Sequence, residues 1–254
     1  MRELDYKKVT ENIQEWIKNY VQDAQCDGIV VGLSGGIDSS VTAALSVNAI
    51  GNNRVLGFSL PCNSLSSDYE DAKLIAEFLD IEFRVVDLSS IYKECIERFI
   101  TKLREKTNVK MAKANIKPRL RMTTLYFYGQ AEGSYLIGGT GNRTEIAIGY
   151  FTKYGDGGVD IEPIGDLYKC EVREVAKVLK IPNKIIIKPP SAGLWKGQTD
   201  EDEIGISYDD LDEIIFRIDN NLELDDFEKA KVKKVEKMMK ISKHKKNMPP
   251  RYKI

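Results

Sequence analysis

The sequence predicts an α/β protein, a parallel sheet with helices on both faces. Three observations predict it. Short apolar runs bounded by glycine and polar turn residues alternate with segments whose apolar positions recur at helical spacing. Strand–helix alternation of this kind implies parallel strands joined by right-handed crossovers and buried on both sides. No internal repeat and no low-complexity linker divides the 254 residues, so a single domain over 1–254 is expected.

Leu4, Val9, Ile13, Ile17 and Val21 make the first twenty residues an amphipathic helix. Residues 28–34 (GIVVGLS) read as a buried strand, followed by a glycine turn at Gly35–Gly36 and a helix from Asp38 to about Asn48. A second strand is expected over 54–60, a helix over 68–79, a third strand over 82–86 and a long helix over 89–103. Residues 105–117 are polar and weakly patterned, which predicts a mobile loop. A helix from Pro118 to about Glu132 leads into a fourth strand at 135–138. Residues 150–160 are rich in glycine and aspartate and predict turns; a helix over 169–179, the proline-containing stretch 188–192 and a helical region over about 207–240 follow. The tail KHKKNMPPRYKI is basic and reads as a solvated terminus.

Composition excludes several classes. No run approaches the ~18 apolar residues of a membrane span, and the charged N-terminus lacks a signal-peptide core. A net charge of −1 gives no support for a nucleic-acid binder. Four scattered cysteines without a CxxC pair predict reduced thiols and a cytoplasmic protein. His244 is the only histidine, so neither a His-rich metal site nor a Ser-His-Asp triad elsewhere in the chain can be built.

The most informative segment is Gly32-Leu33-Ser34-Gly35-Gly36-Ile37-Asp38-Ser39-Ser40. It lies between a strand and a helix, where α/β sheets present ligands at the carboxyl ends of their strands. Adjacent glycines allow a phosphate to approach the backbone, and the helix-start N–H groups with the serine hydroxyls suit a polyanion. The lysine of a Walker A loop and the spacing of GxGxxG are both missing. Asp38 would repel bare phosphate, so a bridging Mg²⁺ makes sense of it.

This loop resembles the pyrophosphate loop of the ATP pyrophosphatase superfamily, whose Rossmann-like, adenine nucleotide alpha-hydrolase-like fold splits ATP to AMP and pyrophosphate. Three later segments resemble the NAD synthetase family within it: 139–145 (GTGNRTE) continuing to 149–160 (GYFTKYGDGGVD), then 161–169 (IEPIGDLYK), then 188–195 (KPPSAGLW). His244-Lys245, shortly before Pro249-Pro250, resembles that family's C-terminal substrate clamp. The resemblance implies an ATP pyrophosphatase core over about 20–195 and a helical clamp over about 196–254. It assigns ATP contacts to residues 32–39, Thr140, Lys169 and Ser191, Mg²⁺ to Asp38 and Glu145, and the dinucleotide to Arg119, Lys153, Asp160, His244 and Lys245. Asp38 and Lys169 are the expected catalytic pair. Arg119 is favoured over Arg121 by motif position, although helix phase decides which meets the ligand.

The activity so implied is amidation of nicotinic acid adenine dinucleotide by ammonia, with ATP as co-substrate and Mg²⁺ as cofactor. Glutamine-dependent relatives carry a further amidase domain; here the synthetase motifs begin at residue 32, which points to free ammonia or ammonia handed over by a separate protein. The resemblance also implies a homodimer, with small-molecule substrates and neither nucleic acid nor membrane as partner. Rival readings are another adenylating enzyme of the superfamily, amide-forming or tRNA-modifying, and a nucleotide-binding protein without catalysis. The latter would have little reason to keep Asp38, Glu145 and Lys169 together.

Overall fold

The computed structural model describes residues 1–104, 109–191 and 199–252. Its elements are, in order, α1 (Tyr6–Asp23), β1 (Gly28–Gly32), α2 (Ile37–Ile50), β2 (Val55–Ser59), α3 (Ser66–Leu79), β3 (Glu82–Val85), α4 (Ser89–Ile100), α5 (Lys110–Ala114), α6 (Ile116–Ala131), β4 (Tyr135–Gly138), α7 (Arg143–Ile148), α8 (Lys169–Val178), α9 (Asn183–Ile186), α10 (Asp200–Ile204), α11 (Tyr208–Asp219) and α12 (Lys229–Ser242).

Among the described residues four strands pair in parallel in the order β3-β2-β1-β4. In β1, Ile29, Val30 and Val31 are all fully buried, and alternation sends them to opposite faces. Ile29 and Val31 join Ile17 and Val21 of α1, Val41 and Leu45 of α2, Ile75 of α3 and Val172 and Val175 of α8. Val30 packs with Phe58, Leu88 and Ile137, against Leu120 and Tyr128 of α6. Each such aliphatic side chain contributes roughly 1.5–3 kcal/mol by leaving water, so the run that signals the strand also explains its two-sided burial. Helix α1 spends its apolar stripe on this core, started by the Asp5 carboxylate accepting the Lys7 and Lys8 N–H groups.

A third apolar cluster joins the C-terminal helices to the sheet domain. Ile204, Ile206, Tyr208, Leu211, Ile214, Ile215 and Val235 pack on Ala147, Ile148 and Tyr168. No helix among the described residues is long and apolar enough to cross a membrane.

The structure corrects some boundaries. The expected loop over 105–117 holds helix α5 and the start of α6 in its described part, and its residues 105–108 lie outside the described residues. Short helices α7 and α9 were not expected; six and four residues are too few to show a helical period. The helical region after 207 is two helices, because residues 220–228 turn the chain before α12. The basic tail is not wholly solvated: Lys245 Nζ donates to the Gly149 and Phe151 carbonyls (2.8 and 2.7 Å), and Lys246 Nζ to Ala147 O (2.8 Å).

The strand order decides where a site can form. From β1 the chain steps outward through β2 and β3, then returns to β4 on the other side of β1. The loops leaving β1 and β4 therefore part at the carboxyl end of the sheet and open a crevice between them.

Candidate functional site

One wall of the crevice is the loop from β1 into α2. Gly35 has φ of +74°, and a Cβ there would stand 2.6 Å from Asp68 O and 2.7 Å from Asp71 Cβ. Left-handed backbone and lack of space both demand glycine. Gly36 caps α2 through extended backbone without a side chain, so the first N–H groups of the helix are left to other acceptors. The hydroxyls of Ser34 and Ser39 face each other at 3.1 Å, and both Ser39 and Ser40 donate to Gly36 O.

The other wall follows β4. Thr140 lies on the loop from Gly139 to Asn142, which is braced from behind by Glu162: its carboxylate accepts the Gly141 N–H (3.1 Å). Burial pushes the Glu162 carboxyl up to about 8, with the Gly141 hydrogen bond opposing the rise. Asn142 then caps α7 and aims Glu145, in its first turn, back at α2.

Lys169, Asp38 and Glu145, far apart in the chain, meet between these walls. Lys169 Nζ lies 2.5 Å from Asp38 Oδ2 and 3.3 Å from Glu145 Oε1, with the lysine side chain 2% exposed. Desolvation by itself would discharge the buried ammonium; the two carboxylates outweigh it and hold it charged above the ordinary lysine range. Burial raises Glu145 even though Lys169 opposes the rise, since two carboxylates share one cation. The ammonium is thus the firmer charge of the cluster.

Helix α11 sets the lysine in place. Asp212 accepts the Lys169 and Cys170 N–H groups (3.3 and 2.8 Å) and the Thr144 hydroxyl. Tyr208, fully buried, places its hydroxyl within hydrogen-bond distance of Glu145 Oε1 (3.1 Å) and Asp200 Oδ2 (3.2 Å). Its ring centroid stands 5.0 Å from the Lys169 ammonium, a cation–π contact.

The donor set fits a hard divalent cation. Two carboxylates already converge on one positive charge, the Lys169 ammonium standing where a metal would be counted. Among the described residues no group of three or more His, Cys, Asp and Glu could hold a metal alone. The two converging carboxylates of Asp38 and Glu145 would suit Mg²⁺, which takes one or two carboxylates together with substrate phosphates and water.

A second group of predicted residues gathers elsewhere. An Arg119 terminal nitrogen donates to Lys153 O (3.4 Å), Lys153 Nζ to His244 O (2.5 Å), and Lys245 sits on the neighbouring carbonyls already described. Helix phase separates the two arginines: Arg121 turns away, donating to Leu60 O (3.1 Å) and Ser64 Oγ (3.2 Å). Asn115 stabilises this corner by accepting the Thr152 hydroxyl at 2.9 Å. Asp160 stands apart from the four, accepting Tyr126 OH (2.8 Å) and the Ile137 N–H (2.7 Å). Ser191 is exposed, ending the described part of its segment; residues 192–195 of the expected match lie outside the described residues.

Sequence reasoning missed Asn142, Glu162, Lys188, Tyr208 and Asp212 as parts of this site. Lys188 Nζ bonds Gly35 O (3.3 Å), Asp68 (3.0 Å) and Asp71 (2.7 Å), tying its segment to the glycine loop. Asn142 left a local trace in the N-cap pattern Asn-x-x-Glu, and Glu162 and Lys188 lie inside the family-like segments 161–169 and 188–195 without a role assigned to them.

The pattern of the NAD synthase family matches residues 9–249. An NH(3)-dependent NAD(+) synthetase of Carboxydothermus hydrogenoformans is 46% identical over 246 residues, 97% of each chain. Among solved structures, an NMN synthetase from Francisella tularensis superposes with a TM-score of 0.89 at 32% identity, covering 99% of this chain and 100% of that one. An NH3-dependent NAD synthetase from Campylobacter jejuni gives 0.83 at 29% identity with the same coverage. By motif, crevice and near full-length likeness, the chain belongs to the NAD synthase family.

Proposed function

We propose that this chain amidates nicotinic acid adenine dinucleotide with ammonia, consuming ATP and releasing NAD, AMP and pyrophosphate. The observation that carries the proposal is the convergence of Asp38, Glu145 and Lys169 on the glycine loop at the strand-order switch. The nicotinate carboxylate attacks the α-phosphorus of ATP, forming a mixed anhydride with AMP as pyrophosphate departs. Ammonia then attacks the activated carbonyl, and AMP leaves.

No covalent nucleophile from the protein is needed, so the chain orients the reactants and stabilises charge. The loop 32–39 contacts the phosphates through N–H groups and hydroxyls, with Thr140 and Ser191 as further ATP contacts. Lys169 supplies a point positive charge to the phosphates. Asp38 and Glu145 would hold Mg²⁺, which when bound would supply positive charge against the departing pyrophosphate. Arg119, Lys153, Asp160, His244 and Lys245 take the dinucleotide; the shared corner of four of them supports this.

The same reading makes residues 1–254 one working unit, with a core over about 20–195 and a clamp over about 196–254. The cluster joining α11 and α12 to Ala147 and Tyr168 supports it. It also makes the protein a cytoplasmic homodimer. Free thiols at Cys26, Cys62, Cys95 and Cys170 favour the compartment. Exposed Ile91, Phe99 and Ile100 on α4 and Phe127 on α6 offer apolar surface to a second copy.

The test incubates the protein with ATP, Mg²⁺, ammonium and nicotinic acid adenine dinucleotide. NAD and AMP in equal amounts are expected; formation of ADP, or absence of NAD, would end the proposal. A second reading has one observation in its favour, the 0.89 TM-score to an NMN synthetase. Nicotinic acid mononucleotide offered in competition separates the two by which acceptor has the higher kcat/KM.

A further inference from the structure

We infer that Asn142 is a positioning residue that selects which carboxylate oxygen of Asp38 faces the cation and fixes the backbone from which Glu145 reaches it. The inference rests on the proposed metal role of that pair. Asn142 is fully buried, and both ends of its amide are used. Nδ2 donates to Asp38 Oδ1 at 3.0 Å, and Oδ1 accepts the Glu145 N–H at 3.0 Å. The chemistry admits one orientation, because an ionised carboxylate only accepts and a backbone N–H only donates.

A single planar group thus spans α2 and α7, elements 104 residues apart at this bond. With Asp38 Oδ1 tied to Asn142, Asp38 Oδ2 is the oxygen left to the Lys169 ammonium, while Glu145 Oε1 meets it beside the Tyr208 hydroxyl. Asp38 and Glu145 would hold a metal through these carboxylates once Lys169 turns to phosphate. Capping α7 does not by itself require an amide: serine, threonine or aspartate would cap it comparably. Of these, none can also donate to Asp38 across this span; an aspartate would set a second carboxylate against the first. Partners that orient metal ligands from behind commonly matter about 10- to 100-fold in affinity or activity.

The experiment compares Asn142→Ser, and Asn142→Thr should the serine variant unfold, with Asn142→Ala and Asp38→Asn. Binding of Mn²⁺ in the presence of a non-hydrolysable ATP analogue is measured by electron paramagnetic resonance, alongside thermal unfolding. The capping variants should unfold near the native temperature yet bind Mn²⁺ about 10- to 100-fold more weakly, with KM for the dinucleotide unchanged. Asn142→Ala should lose stability as well. Native Mn²⁺ affinity in the capping variants, with weakening only in Asn142→Ala, would show a helix cap and nothing more, and would overturn the inference. Native affinity in Asp38→Asn would instead overturn the metal role of the pair. Loss in Asp38→Asn with none in Asn142→Ser leaves that role standing and removes only Asn142.

Discussion

The crevice beside the glycine loop and the corner around Lys153 both hold cationic side chains, yet they hold them differently. In the crevice the Lys169 ammonium is buried and bonded to carboxylate side chains from two other elements. At the corner, Arg119, Lys153 and Lys245 rest on main-chain carbonyls at 2.5 to 3.4 Å. A carbonyl bond is readily exchanged for a ligand, because no ionic partner is stranded when the cation leaves. A buried ion pair is different, since removing one member leaves an uncompensated charge. The Lys169 cluster is therefore held by its ion pairs, while the corner cations are the more easily exchanged.

The largest effect should come from the crevice. Asp38→Asn is expected to lower kcat on the order of 10²–10³-fold or more, by removing a carboxylate proposed to hold Mg²⁺ at the departing pyrophosphate. Glu145 still pairs with Lys169 in that variant, so cooperative unfolding should persist. Quenched-flow measurement of pyrophosphate release settles it, and full activity would take Asp38 out of the site.

Lys169→Met should follow, with kcat reduced about 100-fold and a fall in stability, since Asp38 and Glu145 then face each other without a cation. The same variant should bind Mn²⁺ more tightly than the native chain when no nucleotide is present. Weaker Mn²⁺ binding without nucleotide would deny that ammonium and metal contend for the same oxygens.

Corner variants should behave otherwise. Lys153→Ala is expected to raise KM for the dinucleotide about 10-fold, the worth of one charge-assisted hydrogen bond, with the melting temperature nearly unchanged. A collapse of kcat at constant KM would erase the distinction between the two regions.

How far the sequence disclosed these regions follows from how each is encoded. The strands were legible because β1 is an unbroken apolar run, and the glycine loop because its chemistry is local. Asp38 was legible from the charge chemistry of its loop and Glu145 and Lys169 came from motif resemblance; the fold brings the three together across the switch in strand order. Tyr208 and Asp212 were illegible: they reach the crevice from α11, and nothing near either residue marks a tyrosine or aspartate as a partner of Lys169. Helix α7 was hidden by its shortness, although the Asn142-x-x-Glu145 cap was there to be read. The break between α11 and α12 was missed because both flanks carry helical patterning.

The smallest effect concerns Lys188, which ties its segment to the glycine loop, and its neighbour Lys184. Lys184 and Lys188 flank the buried Asp71 carboxylate at 2.6 and 2.7 Å, and Lys188 also bonds Gly35 O. Desolvation would raise Asp71, but hydrogen bonds from both lysines more than offset it and hold the carboxyl below its ordinary range. A carboxyl depressed in the folded state stabilises the protein above its unfolded pKa of about 3.9, and that contribution is lost as pH falls through the lower folded value. Asp71→Asn should therefore cost stability at pH 7 and progressively less as the pH drops below about 4. Thermal unfolding across pH 7 to 3 reads the difference between the two proteins. A difference that stays constant over the whole range would mean that the Asp71 site acts through packing rather than charge, and would place Lys188 with the exchangeable cations of the corner.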